Sequence, residues 1–141
     1  MKKLREIITE SLKYKTTYQD THNLEHSATV GPHVLAINHS YDSDRGVLGS
    51  NFTLDGSYYT DEHKLASIPQ HHKNAILTTV KNSTIEAIQR FKPKAYEWYT
   101  PSPGKMRLYN MFAKHHIQKK FGGKIVQKDH STASVNFTEK D

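Results

Sequence analysis

The chain carries ten histidines and no cysteine, so acid–base or metal chemistry would have to come from imidazole, carboxylate and phenol groups. The sharpest spacing is His22-Asn23-Leu24-Glu25-His26. On a helix it would stack two imidazoles one turn apart beside a carboxylate, as a hydrolytic zinc site requires. Its flanks read as strand and turn, so the spacing is taken as accidental and no metal site is expected. Asp42-Ser43-Asp44-Arg45-Gly46 places oxygen ligands as a calcium loop does but lacks the length and the closing glutamate. It reads as an ordinary turn. His71, His72 and Lys73 stand where a long helix opens, and backbone N–H groups with the helix dipole favour an anion there. With Arg107, at the opening of the next helix, they are the candidates for binding an anion or a cofactor. Tyr109 falls on the apolar stripe of that second helix, where a phenol is ordinarily a packing group. Lys114, Lys119, Lys120 and Lys124 cluster around the same helix and the strand after it. Lys92, Lys94, Lys105, Arg107 and Lys128 extend the basic region, and phosphate contacts need only such charge. No helix-turn-helix, zinc-finger or RNA-recognition signature appears, so the nucleic-acid contact expected is non-specific.

The elements that must position these groups are clearest in residues 71–128. Ile76, Leu77, Val80, Thr84, Ile85, Ala87, Ile88 and Phe91 recur at three- and four-residue steps, which predicts one helix over residues 73–92. Pro93 stops it. The aromatic run Ala95-Tyr96-Glu97-Trp98-Tyr99-Thr100 reads as a strand and Pro101-Ser102-Pro103-Gly104 as a turn. Met106, Tyr109, Phe112, Ala113, His116, Ile117 and Phe121 form a second stripe, closed by Gly122-Gly123. Lys124-Ile125-Val126-Gln127 and residues 133–138 read as strands. Ahead of this block, residues 14–60 read as antiparallel sheet, with Asp55-Gly56 the strongest hairpin signal in the chain. Residues 2–13 read as a short amphipathic helix with Leu4, Ile7, Ile8 and Leu12 on one face. The fold class expected is α+β: a mainly antiparallel sheet with two principal helices packed on it, plus that N-terminal helix. Residues 14–141 are expected to form a single domain.

The 141 residues carry a formal charge of +6 and a hydrophobic share of 35%, low for a globular chain. The sequence pI of about 9.4 favours polyanion contact. The absence of cysteine excludes a disulfide framework. No apolar run approaches the ~18 residues of a membrane span, and residues 1–13 lack the apolar core of a secretory signal.

The first ten residues, Met1-Lys2-Lys3-Leu4-Arg5-Glu6-Ile7-Ile8-Thr9-Glu10, resemble the capsid-targeting leader of internal head proteins in T-even-type tailed phages. Ile8-Thr9-Glu10 matches the hydrophobic-x-Glu site cut by the prohead protease, which implies processing after Glu10 and a mature chain beginning at Ser11. The arrangement of Lys92-Pro93-Lys94 and Arg107-Leu108-Tyr109 about a strand also resembles small phage proteins without an assigned activity. The order of strands, long helix, strand, helix and two strands, with Leu108-Tyr109 one turn into the second helix, is similar to the GNAT acyltransferases. That likeness implies acetyl-CoA as cofactor and Tyr109 as the acid that protonates the departing thiolate. Ser67-Ile68-Pro69-Gln70-His71-His72-Lys73-Asn74 lacks the glycines that cradle the pyrophosphate in that family. The leading expectation is therefore a non-catalytic internal head protein with no cofactor, located in the virion or the host cytoplasm. Its expected partners are DNA phosphates, the capsid or a host protein, and no membrane. The alternative is an N-acyltransferase.

Overall fold

A computed structural model describes residues 12–58, 68–100 and 103–139. The proposed leader, its cut between Glu10 and Ser11 and most of the expected N-terminal helix fall outside them. Leu12 and Lys13 lie inside and are not helical. The fold is α+β, with a mostly antiparallel sheet and two principal helices.

In chain order the strands are β1 (Tyr14–Gln19), β2 (Asn23–Val30), β3 (His33–Asp42), β4 (Val47–Leu54) and the short β5 (Ser57–Tyr58). Helix α1 (Gln70–Phe91) leads to β6 (Ala95–Tyr99). Helix α2 (Pro103–Phe112) runs into a π-helix (Ala113–Gln118) and one last α turn, Lys119–Phe121. Strands β7 (Lys124–Gln127) and β8 (Thr132–Asn136) follow. The sheet order is β1-β2-β3-β4-β6-β8-β7, with β5 paired to β4 off that path. Strands β4 and β6 are parallel, and β6–β8 and β7–β8 are antiparallel.

The chain divides into two compact units, Met1–His39 with Asn51–Glu86, and Ser40–Ser50 with Ala87–Asp141. In the first, β2 alternates strictly, burying Leu24, His26, Ala28 and Val30 on one face. Leu35, Ile37 and His39 do the same from β3. Val30, Leu35, Ile37, Leu54, Ile68 and Ile76 form one core, with Leu12, Phe52 and Val80 packed against it. The Asp55-Gly56 turn is as expected: both residues are left-handed (φ 54° and 80°), which matches the twist of the β4–β5 hairpin. The Asp55 carboxylate accepts from the Val34 amide at 2.8 Å and lies 2.6 Å from His33 Nδ1, tying the turn to β3.

Helix α1 begins three residues earlier than expected and ends one residue earlier, at Phe91, where left-handed Lys92 (φ 50°) leads into Pro93. Its buried face shares Ile76 and Thr84 with the expected stripe and adds Thr79 and Ser83. Leu77 is exposed, and within the first unit the helix buries Ile76, Thr79, Ser83 and Thr84. Ser83 is met there by histidines of β2 and β3, Thr79 Oγ1 donates to the Ala75 carbonyl of its own helix and accepts from the Leu12 amide, and Thr84 Oγ1 has no hydrogen-bond partner among the described residues.

In the second unit the register aligns Leu48, Tyr96 and Val135 on neighbouring strands, with Ile125 next in line on β7. Tyr96, Trp98, Ala133 and Val135 are buried, as are Met106, Ala113 and Ile117 of the second helical segment. Trp98 Nε1 donates to Asn110 Oδ1 at 3.2 Å, which fixes β6 against α2. The π-helix has no counterpart in the expected regular helix. It keeps Ala113 and Ile117 buried while changing the angular spacing of the exposed residues between them.

Candidate functional site

The most tightly organised polar cluster lies inside the first unit. Ser83, on α1, has zero exposure, and its Oγ lies 2.6 Å from His26 Nδ1 of β2 and 2.8 Å from His39 Nε2 of β3. The other ring nitrogen of His26 lies 2.7 Å from a Glu86 carboxylate oxygen, one helical turn beyond Ser83. At that distance the two atoms still do not meet as a well-directed N–H···O hydrogen bond. The Tyr14 ring packs 4.5 Å from the His26 ring, and its hydroxyl donates to Glu86 at 3.3 Å. The connectivity is that of a serine–histidine–acid triad, but Ser83, His26 and His39 are all closed to solvent. Only Glu86, half exposed, and Tyr14 reach the surface. A nucleophile needs an open face, which Ser83 lacks.

Burial sets the protonation states. His39 is held down to about 3, by burial first and by the neighbouring His26 second. His26 is lowered by burial, against the opposing pull of Glu86. Tyr14 is raised by burial and then by the Glu86 charge. Both imidazoles are therefore neutral at pH 7. The sequence singled out His26 for a zinc motif and missed this role. Residue 22 precedes β2, and Glu25 points to the opposite face, accepting from Thr17 Oγ1 at 2.5 Å, so the helical spacing that motif needs is not formed. The one available signal was the alternation of Leu24, His26, Ala28 and Val30, which puts a histidine in line with core residues.

The start of α1 is not an open cradle. His72 and Lys73 amides both donate to the Pro69 carbonyl, at 3.0 and 3.1 Å. The His72 ring packs on His71 and lies 3.0 Å from where a Cβ at Gly31 would stand, so it covers the β2–β3 turn. His71 is exposed, Lys73 is half-buried, and Arg107 is exposed in the second unit. Tyr109 is half-buried on α2, and burial raises its hydroxyl above the ordinary tyrosine value.

Charge is distributed unevenly. The first unit holds eight basic and eight acidic residues and the second twelve and six, so the whole net charge of +6 belongs to the second. Lys114, Lys119, Lys120 and Lys124 are all exposed. Among the described residues, Lys128 is bridged to Glu97 at 2.5 Å and Arg45 to the same carboxylate at 3.6 Å, whereas no ion pair involves those four lysines. They do not form one flat row. Ile125 joins Asn110, Met111, Lys114 and Gln118 in a shallow groove beside the π-helix, and strand alternation turns Lys124 to the other face of β7. The resulting surface is a cationic rim around the helix end and the edge strand, suited to a phosphate chain in more than one orientation.

The chain matches no protein-family model, no curated protein and no solved structure.

Proposed function

We propose that this is a small, non-catalytic, phage-encoded protein, carried in the capsid, that contacts packaged DNA through phosphates and acts after entry in the host cytoplasm. The observation that carries the DNA contact is the confinement of the entire net charge to the second unit, with Lys114, Lys119, Lys120 and Lys124 exposed there and clear of acidic side chains among the described residues. The capsid location is supported by the leader-like first ten residues. Binding of the purified protein to duplex DNA, read by fluorescence anisotropy across a salt series, tests the contact. Four phosphate contacts give a slope of log K against log salt of about −3 to −4. Mass spectrometry of virions tests the location: the protein should be present and begin at Ser11, and its absence or an intact Met1 start there would remove that part of the proposal. A host-protein partner is tested by pull-down from host lysate, where retention of nothing counts against it.

A second reading, an N-acyltransferase with GNAT-like element order, is favoured by the succession of α1, β6 and α2 after the first strands and by the parallel pairing of β4 with β6. Tyr109 would then donate the proton and acetyl-CoA would be the cofactor. Calorimetry with acetyl-CoA decides it, and the absence of a binding heat would end this reading.

A further inference from the structure

The Ser83 hydroxyl has one proton and sits between two imidazole nitrogens. One histidine must donate to it and the other must accept from it. A bare Nε2 lone pair 2.7 Å from a Glu86 carboxylate oxygen would be repelled by it, which puts the His26 proton on Nε2. His26 Nδ1 then accepts from Ser83, and Ser83 accepts from His39 Nε2–H. The chain runs His39 to Ser83 to His26, toward Glu86.

We propose that His26, Ser83 and His39 form a two-step proton switch that holds α1 to β2 and β3. The first proton comes to rest on His26, where Glu86 is the counter-charge, and it arrives by relay: Ser83 passes its proton to His26 Nδ1, His39 Nε2 passes its proton to Ser83, and His39 takes up the incoming proton at Nδ1. His26 then donates from both nitrogens and Ser83 donates to His39 Nε2. Every bond to Ser83 survives, with its direction reversed. The second proton, on His39, makes both histidines donors to Ser83. The serine proton loses its acceptor, and two imidazolium rings face one another with centroids 6.0 Å apart. The contact between α1 and β3 then opens. Burial ranks the two sites in this order, since His39 is the harder to protonate.

The titratable and charged groups facing the switch, among the described residues, are Tyr14 from β1, His26 from β2, His39 from β3 and Glu86 from α1. Glu25 lies on the outer face of β2 and Arg90 is exposed a turn beyond Glu86. The buried hydroxyls of Thr79 and Thr84 do not titrate; Thr79 Oγ1 donates to the Ala75 carbonyl at 2.6 Å.

Long-range proton–nitrogen correlation spectra of the labelled full chain, from about pH 8 to about pH 3, follow each imidazole nitrogen. As His26 titrates, His39 Nε2 should change from a protonated to an unprotonated nitrogen while the amide spectrum stays folded. Slowed amide exchange in α1 should be lost only at the second, lower step. A His39 pattern that does not change while His26 titrates overturns the proposal, as does simultaneous titration of both rings at the ordinary histidine value. Glu86→Gln, at a half-exposed position, removes the counter-charge and should move the first step to lower pH. An unmoved first step in that variant also overturns the proposal.

Discussion

Acid should destabilise this protein earlier than its carboxylates alone would allow, and His39 sets the size of the effect. Its folded value of about 3 compares with 6.5 for the free side chain. The unfolded chain therefore binds the proton more readily. The stability due to the neutral buried ring is fully present above pH 6.5 and is lost progressively as pH falls toward 3. At pH 5 the loss from this residue is about 2 kcal/mol, taking about 1.4 kcal/mol for each unit below 6.5. That is a large share of a typical total of about 5–15 kcal/mol. For a chain of this length it corresponds to a fall in melting temperature of about 6–10 °C. His26, lowered by burial, adds in the same direction. Asp129 and Asp20 act in the same direction but at lower pH. Their folded values are lowered from 3.8, so the stability they contribute is present above that pH and is lost below it, outside the window considered. Thermal melts by circular dichroism at pH 7, 6 and 5 measure the effect. The control is His39→Gln, whose amide nitrogen can stand where Nε2 stands and donate to Ser83 without titrating. The variant should lose clearly less stability than the parent between pH 7 and pH 5. A flat melting temperature in the parent, or an equal fall in both proteins, would refute the reasoning.

Two further perturbations probe the first unit. Ile76→Ala opens a cavity under a side chain that is 1% exposed in the core, and should cost about 2–5 kcal/mol in urea unfolding; a cost below about 1 kcal/mol would show that the site is not packed as described. Gly31→Ala puts a Cβ at a left-handed residue (φ 57°) and 3.0 Å from the His72 ring. It should cost about 1–2 kcal/mol, and His72→Ala in the same chain should recover the contact part but not the backbone part; full recovery would mean that the turn carries no conformational strain.

Much of the framework was legible because it is local. Pro93 ends α1 through its own ring, Asp55-Gly56 forms its turn from its own left-handed preference, and β7 coincides with the run from Lys124 to Gln127. The burial of α1 was legible only in part, because the rest depends on pairs far apart in the chain. Ser83 belongs in the core only because His26 and His39, 57 and 44 residues away, supply its hydrogen bonds. The expected apolar stripe holds at Ile76, Thr84, Ala87 and Ile88, which are buried, and fails at Leu77, which is exposed. Within the sheet expected over residues 14–60, the buried face of β2 was missed for a related reason: residues 19–27 look polar, yet their alternation buries a histidine as if it were apolar. The π-helix follows from no local preference in Ala113–Gln118, and it matters because it spaces Lys114 from Lys119 and Lys120. The lysines themselves were visible in the sequence, but their separation onto two faces was not, since it depends on the register of β7 against β8.

The most direct test of the central claim is the salt dependence of DNA binding by the full chain, beside a variant with Lys114, Lys119, Lys120 and Lys124 replaced by glutamine. The parent should bind duplexes of unrelated sequence equally, with a slope of log K against log salt of about −3 to −4, and each lysine removed should flatten that slope by about 1. Parent binding that is absent at about 50 mM salt, or a slope that the four substitutions leave unchanged, would contradict it.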